Sequence, residues 1–134
     1  MIAEANTKTA DLEGLRILVV EDEAMVAMLI EGMLEALGCQ LVEWAASIPA
    51  ALKAIDGNEF DGALLDMNLS GEVVYPLAEV LASRRLPFVF VTGYGQTAEA
   101  KARFPETPVL KKPFNSSQLA VLLKNEIAVQ WAIS

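Results

Sequence analysis

The stretch LRILVVEDE, residues 15–23, runs an almost unbroken apolar segment straight into three carboxylates, Glu21, Asp22 and Glu23. A run that is apolar on both faces, Arg16 excepted, fits a strand covered on both sides, as in a parallel sheet. Crowded carboxylates repel, and each disfavours ionisation of its neighbours. A buried strand that ends on such a cluster calls for a compensating charge, or else the cluster is simply solvated.

The segments that follow repeat this strand-first pattern. DEAMVAMLIEGMLEALG (22–38) has helical spacing at Met25, Met28, Leu29, Met33 and Leu37, which predicts a core stripe filled by methionines. Gly38 stands where a C-terminal glycine stops a helix. CQLVEWAAS (39–47) reads as a second strand, and SIPAALKAIDG (47–57) as a helix with Ser47 at its N-cap and Pro49 in its first turn. FDGALLD (60–66) is a third strand, NLSG (68–71) a turn, and EVVYPLAEVLASRR (72–85) a helix with Pro76 near its start. LPFVFVT (86–92) is a fourth strand, GYGQ (93–96) a loop and TAEAKARF (97–104) a short polar helix. TPVLKK (107–112) is the fifth strand. The last helix falls within 115–134, with Leu119, Leu122, Leu123, Ile127 and Trp131 on one stripe. Five alternations of strand and helix predict an α/β fold: a five-stranded parallel sheet with helices on both faces. Its expected order is 2-1-3-4-5, the flavodoxin-like three-layer sandwich.

Composition narrows the function. With 134 residues the chain is read as one domain, a lead-in over 1–13 followed by the folded unit over 14–134. No apolar run is long enough to cross a bilayer, and the polar start lacks the order of a signal peptide, so the expected location is the cytoplasm, with no membrane partner. The absence of histidine excludes a Ser-His-Asp triad, a histidine zinc site and a phosphohistidine within this chain. A net charge of −8 argues against nucleic acid as a partner. Cys39, the single cysteine, reads as a small apolar packing residue.

In open α/β sheets, sites form beyond the carboxyl ends of the strands. Those ends deliver Glu21 and Asp22, Asp66, Thr92, and the pair Lys111–Lys112. Several carboxylates and loop carbonyls make a hard oxygen site that suits Mg²⁺ or Mn²⁺. A bound cation would then be the compensation that the VVEDE cluster calls for. Asp66 could act as a nucleophile toward phosphorus, with Thr92 and a lysine holding the other phosphoryl oxygens.

At the ends of four expected strands stand ILVVEDE, ALLDMNL, FVT and LKKPF, in that order. With these motifs the chain resembles bacterial two-component response-regulator receiver domains (CheY-like) from Leu15 to about Trp131. PFVFVTGYG further resembles a stand-alone subgroup named for its Phe-Ala-Thr-Gly-X-Tyr motif, with Val91 in place of the alanine. That subgroup is associated with alphaproteobacteria and general stress signalling. The resemblance implies Asp66 as phospho-acceptor and Asp22 as direct metal ligand. It implies Glu21 acting through water and the backbone carbonyl of Asn68 completing the metal shell. It also implies Thr92 and Lys112 as phosphoryl-binding and switch residues, with Gly93 leaving room beside the phosphoryl group. The Lys112–Pro113 bond is expected to be cis. The implied partners are a sensor histidine kinase or phosphotransfer protein, and a downstream protein target. The chain is expected to act as a monomer that catalyses only its own phosphorylation and dephosphorylation, or to serve as a phosphate sink or shuttle.

Two positions depart from the family. Val109 stands where the fifth strand usually carries an aromatic switch residue, and Tyr94 is the expected substitute. The loop after Asp66 lacks the usual proline-containing form and is shorter. Glu23 reads as a first-turn acid, Lys111 as a surface lysine, and Trp44 and Trp131 as packing residues. Two other functions compete with this one. A phosphohydrolase of the haloacid-dehalogenase type wants a second aspartate where Asn68 stands. A phosphorylation-independent scaffold is the other.

Overall fold

Residues 12–93 and 97–128 are described by the computed structural model. Short segments rich in Val, Leu, Ile and Phe, each stopped by a polar residue or a turn, form the central strands. These are β1 (Arg16–Val20), β2 (Gln40–Ala45), β3 (Gly62–Asp66), β4 (Phe88–Thr92) and β5 (Val109–Lys111). They pair in parallel in the order β2-β1-β3-β4-β5. This is the expected flavodoxin-like arrangement. The order reverses at β1 and β3, so the carboxyl ends of these two strands flank the crevice where such sheets bind ligands.

Side-chain alternation sorts the core into two layers. Leu18, Val20, Ala63, Leu65 and Phe90 face helices α2 (Ile48–Gly57), α3 (Tyr75–Ser83) and α4 (Ala98–Arg103). Ile17, Val19, Leu64, Val89 and Val91 face α1 (Ala24–Ala36) and α5 (Ser116–Leu122). The chain of α5 continues as a π-helical segment over Leu123–Ala128. Leu119, Leu123 and Ile127 are buried there and Leu122 partly so, while Trp131 lies outside the described residues. Leu12, which the composition assigns to the lead-in, is buried against the α1–α5 layer.

The expected core stripe of α1 is corrected in its first half, while Met33 and Leu37 pack against the core partly buried. Met25, Met28 and Leu29 are exposed, at 78%, 66% and 64%, and the buried face is Ala27, Ile30 and Leu34. The helix is apolar on most of its circumference, so periodicity alone does not set its rotation. Contact with the sheet does, and small Ala27 permits a close approach. Gly38 ends α1 with φ +88°; its N–H donates to the Glu35 carbonyl and the Cys39 N–H to the Leu34 carbonyl. That paired geometry is the Schellman motif. Glu23 occupies the N-cap position rather than the first turn and makes no side-chain cap bond. Ser47 caps α2 as expected, through a bond from the Ala50 N–H.

The loop after Asp66 is a hairpin. Asn68–Leu69 pair with Glu72–Val73 in antiparallel, joined by Ser70 and Gly71 at φ +52° and +89°. Two consecutive left-handed residues make the type I′ turn, which matches the twist of its strands. Helix α3 therefore starts at Tyr75, later than the expected 72, with Pro76 in its first turn. Among the described residues, no helix is long and apolar enough to cross a membrane.

Candidate functional site

Strand ends bring the chemistry together. Hydrogen bonding places Glu21 directly after β1, its N–H on the Ala45 carbonyl, and the β3 register carries Asp66 beside Val91. Glu21, Asp66 and Thr92 are the buried polar side chains among the described residues. Glu21, Asp22 and Asp66 each offer a carboxylate oxygen within 4.8 Å of the others. Lys112 reaches in from the end of β5, its Nζ 3.1 Å from Glu21 Oε1 and 3.6 Å from Asp66 Oδ2. Its amide is held by the Thr92 carbonyl at 2.7 Å, and the Lys112–Pro113 bond is cis. A solvent-open cavity of about 540 Å³ is walled by Asp22, Asp66, Asn68, Thr92, Gly93 and Lys112, with Ser70 and Gly71 on its rim. Lys111, the neighbouring lysine, is exposed. Tyr94 lies outside the described residues.

Each acid has its own surroundings. Burial raises the Glu21 pKa, and the Asp66 charge adds to this; the Glu23 N–H and Lys112 work in the opposite direction. Glu21 Oε2 accepts the Glu23 N–H at 3.1 Å, so both of its oxygens have protein donors. Asp22 is the half-buried member. Burial works to raise its pKa, but hydrogen bonds, first the two from Ser70 and then those with its own backbone N–H and with Glu21, outweigh that, and the pKa is lowered. The Ser70 bonds run from its N–H and hydroxyl to Asp22 Oδ2, at 2.8 and 2.9 Å. For Lys112, burial disfavours the ammonium, yet the Glu21 bond and the charges of Asp66 and Glu21 raise its pKa. Asp66 Oδ1 accepts the Asn68 N–H at 3.3 Å.

The donor set fits a hard divalent cation. It consists of oxygens, it carries more negative charge than Lys112 offsets, and it opens to solvent on one side. Residue order alone does not reveal two of these contacts. Ser70 holds Asp22 from 48 residues away. The Trp44 indole N–H donates to the Glu21 carbonyl at 2.6 Å, so this tryptophan does more than pack. The Ser-Gly pair is itself a turn signal and could have predicted the hairpin, but not where the hairpin would dock. Val109 is partly buried beside a cluster of Tyr75, Phe88, Phe90 and Phe104. Among the described residues, the aromatic side chains of this region thus come from β4, α3 and the end of α4, not from β5.

Known proteins share this architecture. Residues 17–124 match the family model of the response regulator receiver domain. The transcriptional regulatory protein TcrA of Mycobacterium tuberculosis is 31% identical over 117 residues, which cover 84% of this chain and 46% of TcrA. The phyllosphere-induced regulator PhyR of Methylorubrum extorquens is 23% identical over 133 residues, 97% of this chain and 50% of PhyR. The chain thus spans about half the length of these curated relatives. Among solved structures, SdrG from Sphingomonas melonis Fr1 is 40% identical with a TM-score of 0.71, covering 82% of this chain and 93% of SdrG. Its BeF3-activated conformation is 38% identical with a TM-score of 0.67, covering 81% of this chain and 92% of that one. With its sheet order, its acidic crevice and a family match over residues 17–124, the chain belongs to the response regulator receiver domains of two-component systems.

Proposed function

We propose that this receiver domain accepts a phosphoryl group on Asp66 from a sensor histidine kinase or phosphotransfer protein, and signals through contact with a downstream protein. The observation that carries this reading is the convergence of Asp66 with Glu21, Asp22, Thr92 and Lys112 around one solvent-open crevice. An Asp66 oxygen attacks phosphorus, the phosphorus–nitrogen bond of the donor phosphohistidine breaks, and an acyl phosphate forms. Lys112 neutralises phosphoryl charge, and the Thr92 hydroxyl donates to a phosphoryl oxygen. Gly93 leaves room beside it. Asp22, Asp66 and the Asn68 carbonyl would hold Mg²⁺ or, in its place, Mn²⁺ directly, and Glu21 would act through water. The cation supplies positive charge against the carboxylate and phosphoryl oxygens.

SdrG supports this reading, since a chain that this one matches over most of its length has a conformation activated by beryllofluoride, a phosphoryl mimic. The PFVFVTGYG motif supports a role in general stress signalling, with Tyr94 as the switch aromatic. On this reading the receiver unit is residues 14–134, a cytoplasmic monomer with no nucleic-acid or membrane partner and no external substrate.

Intact mass after incubation with acetyl phosphate and Mg²⁺ tests the reading. Wild type gains one phosphoryl group; Asp66→Asn, and wild type with EDTA, gain none. An unmodified wild type that also gives no NMR response to beryllofluoride would sink the proposal and leave the scaffold.

A further inference from the structure

Asp22 is half-buried at the mouth of the crevice, where a carboxylate would ordinarily turn freely. The hairpin tip stops it. Ser70 sits at φ +52°, a left-handed conformation uncommon for residues other than glycine. In that conformation its N–H and its hydroxyl converge on a single oxygen, Asp22 Oδ2, at 2.8 and 2.9 Å. The tip is itself tied to the acceptor aspartate. The Gly71 N–H donates to Asn68 Oδ1 at 3.0 Å, and the Asn68 N–H to Asp66 Oδ1 at 3.3 Å. One turn therefore links the two carboxylates that face the cation.

We propose that Ser70 is a positioning residue for the cation: it clamps one oxygen of Asp22 and leaves the other oriented for metal binding. The proposal rests on the reading of Asp22 as a metal ligand given above. A competing arrangement, in which Ser70 is a latch that must open before a cation enters, predicts the opposite effect: removing the hydroxyl bond to Asp22 would tighten cation binding. Ligand carboxylates are commonly held by such outer hydrogen bonds, and losing one weakens metal affinity by about 10- to 100-fold.

The test is a Mn²⁺ titration of the full chain, with free ion counted by electron paramagnetic resonance, for wild type, Ser70→Gly and Ser70→Ala. Metal-free melting is measured beside it. Both variants lack the hydroxyl, but glycine suits the left-handed turn and alanine does not. The expected result is an affinity loss of about tenfold in both, by the same factor, even where metal-free Ser70→Gly melts at or above wild type. Ser70→Gly binding Mn²⁺ as tightly as wild type, or more tightly, would overturn the proposal, since affinity would then follow turn stability or latch release. A wild type that takes up no Mn²⁺ would overturn the metal-ligand reading of Asp22, and this inference with it.

Discussion

Replacing Lys112 with methionine removes the cation wedged between two buried acids while keeping most of the apolar stem. Its Nζ lies 3.1 Å from Glu21 Oε1 and 3.6 Å from Asp66 Oδ2. At an effective dielectric constant of about 20, each contact carries a gross Coulomb attraction of about 5 kcal/mol, most of which offsets the cost of desolvation. Stranding one partner of a buried pair costs about 3–5 kcal/mol. Because the Lys112 side chain keeps 22% of its exposure, water replaces part of what is lost, and the low end, about 3 kcal/mol, applies. For 134 residues at about 2.1 cal/mol/K per residue, that is a fall in Tm of about 11 °C without metal. The deficit should depend on pH. Burial already raises the Glu21 pKa, and Lys112 is one of the groups that restrains it. Without Lys112 it rises further above the unfolded value of about 4.3. Between those two values the folded state holds a proton that the unfolded state has released, so stability falls as pH rises through that window. The gap from wild type is therefore wide near pH 7 and narrows in acid. Thermal melts followed by circular dichroism at about pH 7 and about pH 5 measure both effects. A loss smaller than about 3 °C, or a gap equally wide at both pH values, would refute the reasoning.

Three further outcomes are expected. A Cβ at Gly62 would lie 2.5 Å from Ile127 Cδ1 and 2.7 Å from its Cγ2. Gly62→Ala should therefore cost about 1–3 kcal/mol in urea unfolding, and less than that in an Ile127→Ala background; additive losses would mean the two residues do not touch. Burial pushes the Cys39 thiol up to about 11, while the unfolded thiol ionises near about 8.5. Across that window the unfolded state binds fewer protons, so stability falls as pH rises, and Cys39→Ala should flatten this alkaline limb. Asn115 and Gln118 form a reciprocal capping box at the start of α5. Asn115→Ala should lower stability by about 1 kcal/mol in the same urea assay, with no change in cation affinity.

The alternation of elements and the positions of Glu21, Asp22, Asp66, Thr92 and Lys112 were legible in the sequence. Both follow from local rules: a run buried on both faces needs apolar residues throughout, and a parallel sheet puts its polar strand ends on one rim. The cap at Ser47 and the stop at Gly38 are equally local, depending on the backbone within a turn. The rotation of α1 was not legible, because Met25, Met28 and Leu29 are as apolar as the residues that are buried. Only the shape of the surface it packs on could choose among them. Nor was the partner of Asp22. A hairpin can be suspected from Ser70–Gly71, but its contact with a residue 48 positions earlier exists only once β1 and β3 lie side by side. The same holds for Trp44, whose indole reaches the Glu21 carbonyl across the β1–β2 edge. By itself the sequence determined which groups would meet at the strand ends. Tertiary structure decided what holds each of them in place, because hydrogen bonds between distant segments depend on packing that no local pattern encodes.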